Sequence, residues 1–258
     1  MLKLDHLVIN TRFDTDAAQR TFEQLGFTVA PRGYHTLGSI NHAIVFDDHY
    51  LELIGLPADG KTVREEIVSS PLGPDGLVFS IDDPAATFDT LCHAGFHATP
   101  PQTFSRPVEL DGEPPADARF TTVRLKPGQL DGGRVYFCKH LTPELVFRSE
   151  WQSHPNGAVG LSVLHLIDVA PESYVQLGEI EAGFELVYWT RADFDARFGT
   201  TAQYITALGP RYAAITVRAP AWRSVGERAA AAGFPASIEM QRAVVVLPRF
   251  DTLLEFVP

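Results

Sequence analysis

The chain of 258 residues has only two cysteines, Cys92 and Cys138, and fewer basic than acidic residues. Two cysteines do not make a disulfide framework, and buried free thiols in a reducing cytoplasm account for them better. The formal net charge of −11 argues against nucleic-acid binding, because a phosphate backbone requires a basic surface. No apolar run approaches the length of a membrane span, and the first residues lead into a predicted strand without room for a cleavable signal. We therefore expect a cytoplasmic protein that binds neither nucleic acid nor membrane.

Several enzyme signatures are also missing. The sequence contains no Walker loop, no Gly-x-Gly-x-x-Gly, no Gly-x-Ser-x-Gly and no Cys-x-x-Cys. These absences disfavour a phosphate-binding loop, a dinucleotide fold, a serine hydrolase and a thioredoxin-like redox enzyme.

What the sequence does contain is a fourfold repeat. The dipeptide Gly-Phe occurs four times, at Gly26-Phe27, Gly95-Phe96, Gly183-Phe184 and Gly233-Phe234. Each copy closes a helical pattern that comes after a short apolar, strand-like run; these runs cover residues 4–10, 77–82, 163–169 and 213–218. Three of the helices open on proline, at Pro84, Pro171 and Pro220. Proline favours the first helical position and glycine the residue after a helix end. The chain therefore reads as one strand–helix unit used four times.

The first two units are predicted to continue with three strands each. In unit one, the helix at 15–25 is followed by strands at 27–30, 41–46 and 50–54. In unit two, the helix at 84–94 is followed by strands near 120–125, 135–139 and 144–147. The proline-rich stretch 100–115 is predicted to be a long loop over one end of the sheet.

Unit three departs from this pattern, because residues 192–198 read as helical where strands are expected. Unit four has a helix at 221–232 and strands at 243–247 and 253–257. We expect an α+β fold of four strand–helix–three-strand (βαβββ) units, paired into two cup-shaped antiparallel or mixed sheets, with the third unit degenerate. Residues 153–157 are the candidate linker, which gives domains at 1–152 and 158–258.

Four segments resemble the vicinal oxygen chelate superfamily, in particular its glyoxalase-like branch. They are Leu4-Asp5-His6-Leu7-Val8-Ile9, Leu25-Gly26-Phe27-Thr28-Val29, Tyr50-Leu51-Glu52-Leu53 and Pro143-Glu144-Leu145-Val146. The resemblance extends over residues 1–160 and is looser beyond. It implies that two units form a cup that holds a divalent metal ion. Because such cups serve isomerases, lyases, dioxygenases and antibiotic-sequestering proteins, the resemblance does not fix the reaction.

Strand alternation and this resemblance together give a candidate metal site of His6, Glu52 and Glu144. His6 lies where the family keeps a ligand, and a glutamate recurs in the closing strand of three units, at Glu52, Glu144 and Glu255. A carboxylate inside an apolar cup is costly unless it is paired or bound to a cation. Imidazole with two carboxylates suits Mn, Fe, Ni, Zn or Mg. The alternative is that these glutamates face water on the solvated side of an antiparallel sheet.

Further residues are candidates for proton transfer and substrate binding. His140 is either a ligand or general base beside Glu144, or a cap at a strand end. In glyoxalase-like proteins a histidine in the loop before the third strand lies near the cup mouth, which implicates His35 and His42. Arg148, like Arg32 and Arg106, is a candidate for binding a substrate carboxylate, although solvated arginine is the default.

The second half lacks a comparable set. Extradiol dioxygenases of this superfamily place a histidine in the opening strand of both units of the active pair, but this chain has Val78 and Ala214 there. His165 and Glu255 alone remain, and His165 reads as a satisfied core residue. We therefore expect the second half to be a degenerate copy that supports the first.

The sequence supports three hypotheses for function. The first is a metal-dependent isomerase or lyase that acts on a small molecule with vicinal oxygens, with Glu144 or His140 moving the proton. The alternatives are a non-catalytic protein that binds or sequesters a small molecule in the same cup, and an extradiol-type dioxygenase. A metal-free scaffold and a homodimer are also compatible with the sequence.

Overall fold

The structure is a computed structural model that describes residues 1–60, 64–110 and 113–258. Eight strands form the first sheet: β1 Lys3–Arg12, β2 Gly33–Tyr34, β3 Ile40–Val45, β4 Tyr50–Gly55, β5 Gly73–Ser80, β6 Gln102–Leu110, β7 Glu113–Arg124 and β8 Arg134–His140. Six strands form the second: β9 Gly160–Ile167, β10 Glu185–Trp189, β11 Arg211–Arg218, β12 Ala236–Ile238, β13 Ala243–Leu247 and β14 Thr252–Val257. The helices are α1 Thr15–Gln24, α2 Glu65–Ser69, α3 Pro84–His93, α4 Pro171–Val175, α5 Arg191–Phe198 and α6 Trp222–Ala231. No helix in the described ranges is both long and apolar enough to span a membrane.

The strand order confirms the predicted pairing of units. The first sheet runs β2-β3-β4-β1-β5-β8-β7-β6 and the second β10-β9-β11-β14-β13-β12. In each sheet the opening strands of two units pair antiparallel at the centre, as β1 with β5 and β9 with β11. Each opening strand also pairs in parallel with a later strand of its own unit. The first sheet is a nearly closed cup and the second is partly curled.

The Gly-Phe dipeptides end three of the helices as predicted. Gly26, Gly95 and Gly233 have φ values of 84°, 90° and 85°, which favour glycine. In each case the next residue, phenylalanine, donates its N–H to the carbonyl five residues earlier, at 3.0 Å, as in a Schellman motif. The fourth copy is different, because α4 ends at Val175 and Gly183 lies well beyond it.

Two strand predictions in the first two units are wrong. Residues 27–30 are not a strand, although Ala30 donates one hydrogen bond to Ala43. The proline-rich stretch 100–115 is not a loop, because it contributes to the antiparallel hairpin of β6 and β7. Proline is tolerated in an edge strand, and β6 lies at the edge of the sheet order. Consequently β8 closes unit two, and the predicted strand at 144–147 is a 3₁₀ turn over Pro143–Leu145 instead.

The two sheets share one hydrophobic core between their outer faces. Alternate residues of the central strands supply it, among them Leu7, Phe79, Leu166 and Val217. The rings of Phe27 and Phe256 pack across it with centroids 6.1 Å apart. The opposite faces of the two sheets line separate clusters, which leaves each cup with its own interior.

The predicted linker at 153–157 is bound to unit one. His154 contacts the carbonyl of Val45 through Nε2 and accepts the N–H of Thr28 at Nδ1, both at 3.1 Å. Asn156 donates its backbone N–H to the carbonyl of Gly26 at 3.0 Å. The segment is thus held in place, and the division into domains 1–152 and 158–258 stays a prediction.

The second cup is filled by its own chain. Helix α5, predicted from the sequence, and the 3₁₀ turn Gly199–Tyr204 fill the inner face with Phe194, Phe198 and Ala202. Glu255 in this cup is paired with Arg197 at 2.5 Å and Arg242 at 3.0 Å. The inner face of the second cup is therefore covered by side chains of α5 and of the turn that follows it.

His165 belongs to a closed hydrogen-bond chain in this cup. Trp189 donates to its Nδ1 at 3.0 Å, and its Nε2 donates to Thr216, which donates to Glu255 at 2.8 Å. Burial opposes ionisation of Glu255, but its contacts with His165, Thr216 and Arg197 hold its pKa below the usual value. Every polar atom of the imidazole has a partner, as expected for a structural residue.

We expect Glu255→Leu to lower the free energy of unfolding by about 3–5 kcal/mol at pH 7, because Arg197 loses its carboxylate, Arg242 keeps only the exposed Glu239, and Thr216 loses its acceptor. Since the pKa of Glu255 is depressed, its contribution is present above the unfolded pKa and lost as the pH falls through the folded one. Urea unfolding at several pH values measures both effects. The control is Glu239→Gln, an exposed partner of Arg242, with an expected change below about 1 kcal/mol. Equal effects of the two substitutions would contradict a structural role for the Glu255 network.

Candidate functional site

A cavity of about 240 Å³ lies inside the first cup. Its floor contains His6 of β1, Asn41 of β3, Glu52 of β4 and Tyr136 of β8. The lining also includes Glu66, Cys138, several aliphatic side chains, and a set of aromatic and cationic residues: His35, Tyr50, Phe104, Phe120, Arg64, Arg106, Arg124, Lys126 and Arg134. The cavity therefore combines titratable groups and several cations with an otherwise mostly apolar wall.

A β-bulge places Asp5 beside His6. In the pairing of β1 with β5, Leu4 faces Phe79 and His6 faces Val78, so Asp5 is an extra residue. Such a bulge interrupts the alternation of side chains, and both Asp5 and His6 contact residues on the inner side of the sheet. Sequence reasoning missed Asp5 because it assumed strict alternation.

Asp5 orients the imidazole of His6. Its Oδ1 lies 2.5 Å from Nδ1 of His6, and its Oδ2 lies 3.0 Å from Nε2 of His140. Burial opposes ionisation of Asp5, but the charges and hydrogen bonds of His140 and His6 hold its pKa below the usual value. With Nδ1–H donated to this carboxylate, the lone pair of neutral His6 is on Nε2, which faces the cavity. The ring is further fixed by stacking on Tyr50, with centroids 4.3 Å apart.

Glu52 lies next to this nitrogen. Its Oε2 is 3.8 Å from Nε2 of His6, and its Oε1 accepts a hydrogen bond of 2.6 Å from Asn41. The hydroxyl of Tyr136 is 3.5 Å from the same Nε2, and burial raises the pKa of this phenol above its usual value. His6 and Glu52 thus converge in the cavity, each with a partner that fixes its orientation.

The structure does not bring Glu144 to this site. Glu144 is exposed on the 3₁₀ turn Pro143–Leu145, after the closing strand β8. Glu52 pairs in register with Val8, and the equivalent pair in unit two is Cys138 with Ser80. The structural counterpart of Glu52 is therefore Cys138. Because the predicted strand count was shifted by one, Glu144 was placed in the wrong strand.

His140 lies behind the cavity. Its Nε2 is bound to Asp5, its ring packs against Phe120 and Phe147, and its buried Nδ1 has no partner among the described residues. It is absent from the described residues that line the cavity. His140 is therefore linked to His6 through Asp5 and through the ring of Tyr50, which packs against both histidines.

The three predicted substrate-binding residues lie in three different places. His35 lines the cavity, contacting Ser39 at 2.8 Å. His42 faces away from it, with Nδ1 2.9 Å from the carbonyl of Ala30, because its neighbour Asn41 takes the inward position. Arg148 lies outside, over the ring of Trp151 at 5.5 Å and paired with Glu150.

Two other arginines were candidates for carboxylate binding. Arg106 lines the cavity, whereas Arg32 pairs with Asp16 away from it. Sequence reasoning missed Asn41, Tyr136 and Arg124. Asn41 could have been found from the alternation of side chains along β3. Arg124 could have been found if the β6–β7 hairpin had been recognised.

The residues fit a divalent ion only in part. His6 and Glu52 offer two donors with orienting partners, as metal ligands usually have. Val78 and Cys138 occupy the equivalent positions of unit two, and burial raises the pKa of the Cys138 thiol well above its usual value. In the described ranges, one group of three possible donors lies within 4.8 Å of one another: Asp5, Cys138 and His140. Asp5 and His140 are already bonded to each other in that group.

Comparison with known proteins identifies the fold. A family described as glyoxalase-like domain matches residues 4–180, which extends past the predicted domain boundary at 152. A hypothetical protein from Staphylococcus aureus superposes with a TM-score of 0.66 at 11% identity, with each chain fully covered. No curated protein matches the sequence.

Two similar structures carry dioxygenase or synthase names. A xylose isomerase-like TIM barrel/4-hydroxyphenylpyruvate dioxygenase fusion protein gives a TM-score of 0.59 at 11% identity, covering 99% of this chain and 49% of that one. A mutant of 4-hydroxymandelate synthase from Streptomyces coelicolor gives 0.54 at 16% identity, covering 99% and 92%. At such identities the likeness establishes the fold alone.

The cavity environment gives a prediction for pH dependence. Burial, with Arg106 and Arg64 nearby, lowers the pKa of His35 to about 4 despite the opposing charge of Glu52. The unfolded chain takes up this proton near pH 6.5 and the folded one near 4, so stability falls as the pH drops between these values. One pKa unit is worth about 1.4 kcal/mol. We therefore expect His35→Gln to remove up to about 3 kcal/mol of the stability that the wild type loses between these two pH values.

Urea unfolding between about pH 4 and 7 measures the slope, with the exposed His93→Gln on α3 as the matched control. An unchanged slope in His35→Gln would contradict the buried, neutral state of His35.

Proposed function

Because the chain belongs to the glyoxalase-like domain family and has a vicinal oxygen chelate fold, we propose that the first cup is the active site of an enzyme acting on a small oxygen-rich molecule. One observation carries this proposal. In the second cup, both nitrogens of His165 are bonded within the fold. In the first cup, Nε2 of His6 is directed into a cavity beside Glu52 instead.

The arrangement supports proton transfer. Nε2 of His6 can accept a proton from a substrate carbon next to a carbonyl, and the Asp5 carboxylate stabilises the resulting imidazolium. Glu52 is held by Asn41 and has its second oxygen near the same point of the cavity. Such a pair moves a proton between neighbouring atoms, as isomerases and lyases require.

A divalent ion held by His6 and Glu52 is the second way for this site to act, and it takes the place of proton transfer by His6, because the lone pair of Nε2 would then bind the ion. These two ligand types suit Mn, Fe, Ni, Zn or Mg, and such an ion would polarise a substrate carbonyl as a Lewis acid. Neighbouring oxygens of the substrate would complete its coordination. The role of Asp5 is then to orient the His6 ring toward the ion.

Two alternatives from the sequence differ in their support. A binding or sequestering protein is favoured by Val78 and Cys138, which stand where unit two would supply further metal ligands. His6 and Glu52 then remain as two ligands, whereas a tight metal site has three or four. An iron dioxygenase with two histidines and one carboxylate has little support, because Val78 stands opposite His6 where the second histidine belongs.

We expect wild-type protein to take up Mn²⁺, Ni²⁺ or Zn²⁺ with one dominant site, and His6→Ala and Glu52→Ala to lose it. The matched control is His165→Ala, which should keep the uptake and lower the free energy of unfolding by about 1–3 kcal/mol through its broken hydrogen bonds. Isothermal titration after chelator treatment, with urea unfolding, measures both properties. If metal uptake is retained in His6→Ala and lost in His165→Ala, the active cup is the second one and the present assignment to the first is wrong. No uptake by the wild type would favour the binding protein.

A further inference from the structure

The β6–β7 hairpin builds one wall of the cavity and closes the cup. Thr36, just after β2, donates its N–H to the carbonyl of Ser105 in β6 at 2.9 Å, so the two ends of the sheet order meet. Alternate residues of the hairpin face the cavity: Phe104 and Arg106 of β6, and Phe120, Thr122 and Arg124 of β7. The hairpin therefore contributes two aromatic rings and two cations to one wall.

Arg106 is a buried cation that forms no direct ion pair in the described ranges. The residue is only 5% exposed, and the carboxylate whose charge acts on it is that of Glu52. Its position requires Gly33, where a Cβ atom would come within 2.6 Å of Cδ of Arg106. Removing a guanidinium from water without a partner is unfavourable, and burial accordingly lowers the pKa of Arg106.

Arg124 is placed similarly. Its guanidinium lies 5.8 Å and 5.9 Å from the ring centroids of Phe104 and Tyr136, and its one hydrogen bond among the described residues is a 3.4 Å contact with the Gln102 amide. The rings of Phe104 and Phe120 are stacked at 5.3 Å beside it. The two rings and the guanidinium thus line the same wall of the cavity.

Two other arginines of the cavity have direct ion pairs, and Lys126 is exposed at its edge. Arg64 pairs with Glu66, and Arg134 pairs with the buried Asp75 at 2.5 Å. Glu52 is bound to Asn41 near His6. Arg106 and Arg124 therefore remain on the hairpin wall without a direct ion pair among the described residues, inside a protein whose formal net charge is −11.

We propose that the first cup binds a small anion, with its carboxylate or phosphate group held by Arg106 and Arg124 and its flat, unsaturated part against Phe104 and Phe120. Arginine binds both anionic groups in a bidentate manner, and stacked rings favour a planar neighbour. The inference rests on the proposed function, because it identifies the substrate class of the same cavity. The hairpin wall fixes the anionic end, which leaves the reacting carbon to His6 and Glu52.

The test uses benzoate and phenyl phosphate as probes, with neutral benzamide as the matched control, on the full chain by isothermal titration. Wild type should bind at least one anion about tenfold or more tightly than benzamide, and this difference should shrink at high salt. The two probes distinguish a carboxylate from a phosphate site. Equal affinity for benzamide and both anions, or no binding of any probe, overturns the proposal.

Variants then assign the residues. Arg106→Met and Arg124→Met should each weaken the preferred anion by about 10- to 100-fold, and Arg148→Met, outside the cavity, should not. Arg106→Met should also keep or raise the melting temperature of the unliganded protein, because it removes a buried charge that has no direct ion pair among the described residues. If Arg106→Met does not fold, Arg124→Met alone decides. Unchanged anion binding in the folded variants overturns the assignment.

One variant separates this inference from the proposed function. His6→Ala should retain the anion affinity of the wild type while losing metal uptake, because the hairpin wall is independent of β1. If the wild type binds the anion but takes up no metal, the anion site is supported and the metal site of the proposed function is refuted. Loss of anion binding in His6→Ala, with Arg106→Met unaffected, would place the anion at His6 and refute the present assignment.

Discussion

Asp5 holds two imidazole rings at once, and the chemistry of the first cup depends on this contact. The carboxylate bridges His6 of β1 and His140 of β8, two strands separated by β5 in the sheet. Such a buried carboxylate is stable because both neighbours donate to it, which holds its pKa low. The same contact fixes which nitrogen of His6 faces the cavity. A one-residue bulge thus sets both the position and the ring orientation of the group that we assign to proton transfer.

The two halves show how one fold yields an open and a closed cup. Both begin with a histidine in the opening strand, His6 or His165, and they differ in the segments that cover the inner face of the sheet. In the second half, α5 replaces expected strands and fills the cup, and Arg197 on this helix neutralises Glu255. In the first half, the β6–β7 hairpin extends the sheet around the cavity and leaves it open inside. Helix α5 thus covers the inner face of the second cup, whereas the β6–β7 hairpin forms one wall of the cavity in the first.

Much of the architecture can be predicted from local patterns, whereas the site depends on register. The repeated glycine–phenylalanine pairs identified the helix ends and hence the pairing of units, because each glycine must adopt positive φ. The hairpin was missed because its prolines suggest a loop, although an edge strand tolerates them. That error shifted the strand count by one, so Glu144 was predicted at the position equivalent to Glu52, where the structure has Cys138. Alternation and the family resemblance indicated His6 and Glu52, which both line the cavity, whereas the position of Asp5 depends on a bulge that no periodicity reveals.

The cavity wall concentrates positive charge in an acidic protein, and this contrast bears on how a ligand arrives. An anion is repelled by much of a surface with net charge −11, but a cleft with a low-dielectric wall focuses the field of its own charges. Lys126, exposed at the edge of the cavity, extends the basic lining outward from Arg124. Local attraction would therefore act only near the opening, and it would favour compact anions that reach the half-buried Arg124 and the buried Arg106. Selectivity then arises at the hairpin wall and reactivity at β1 and β4, so that the two properties are separable by mutation.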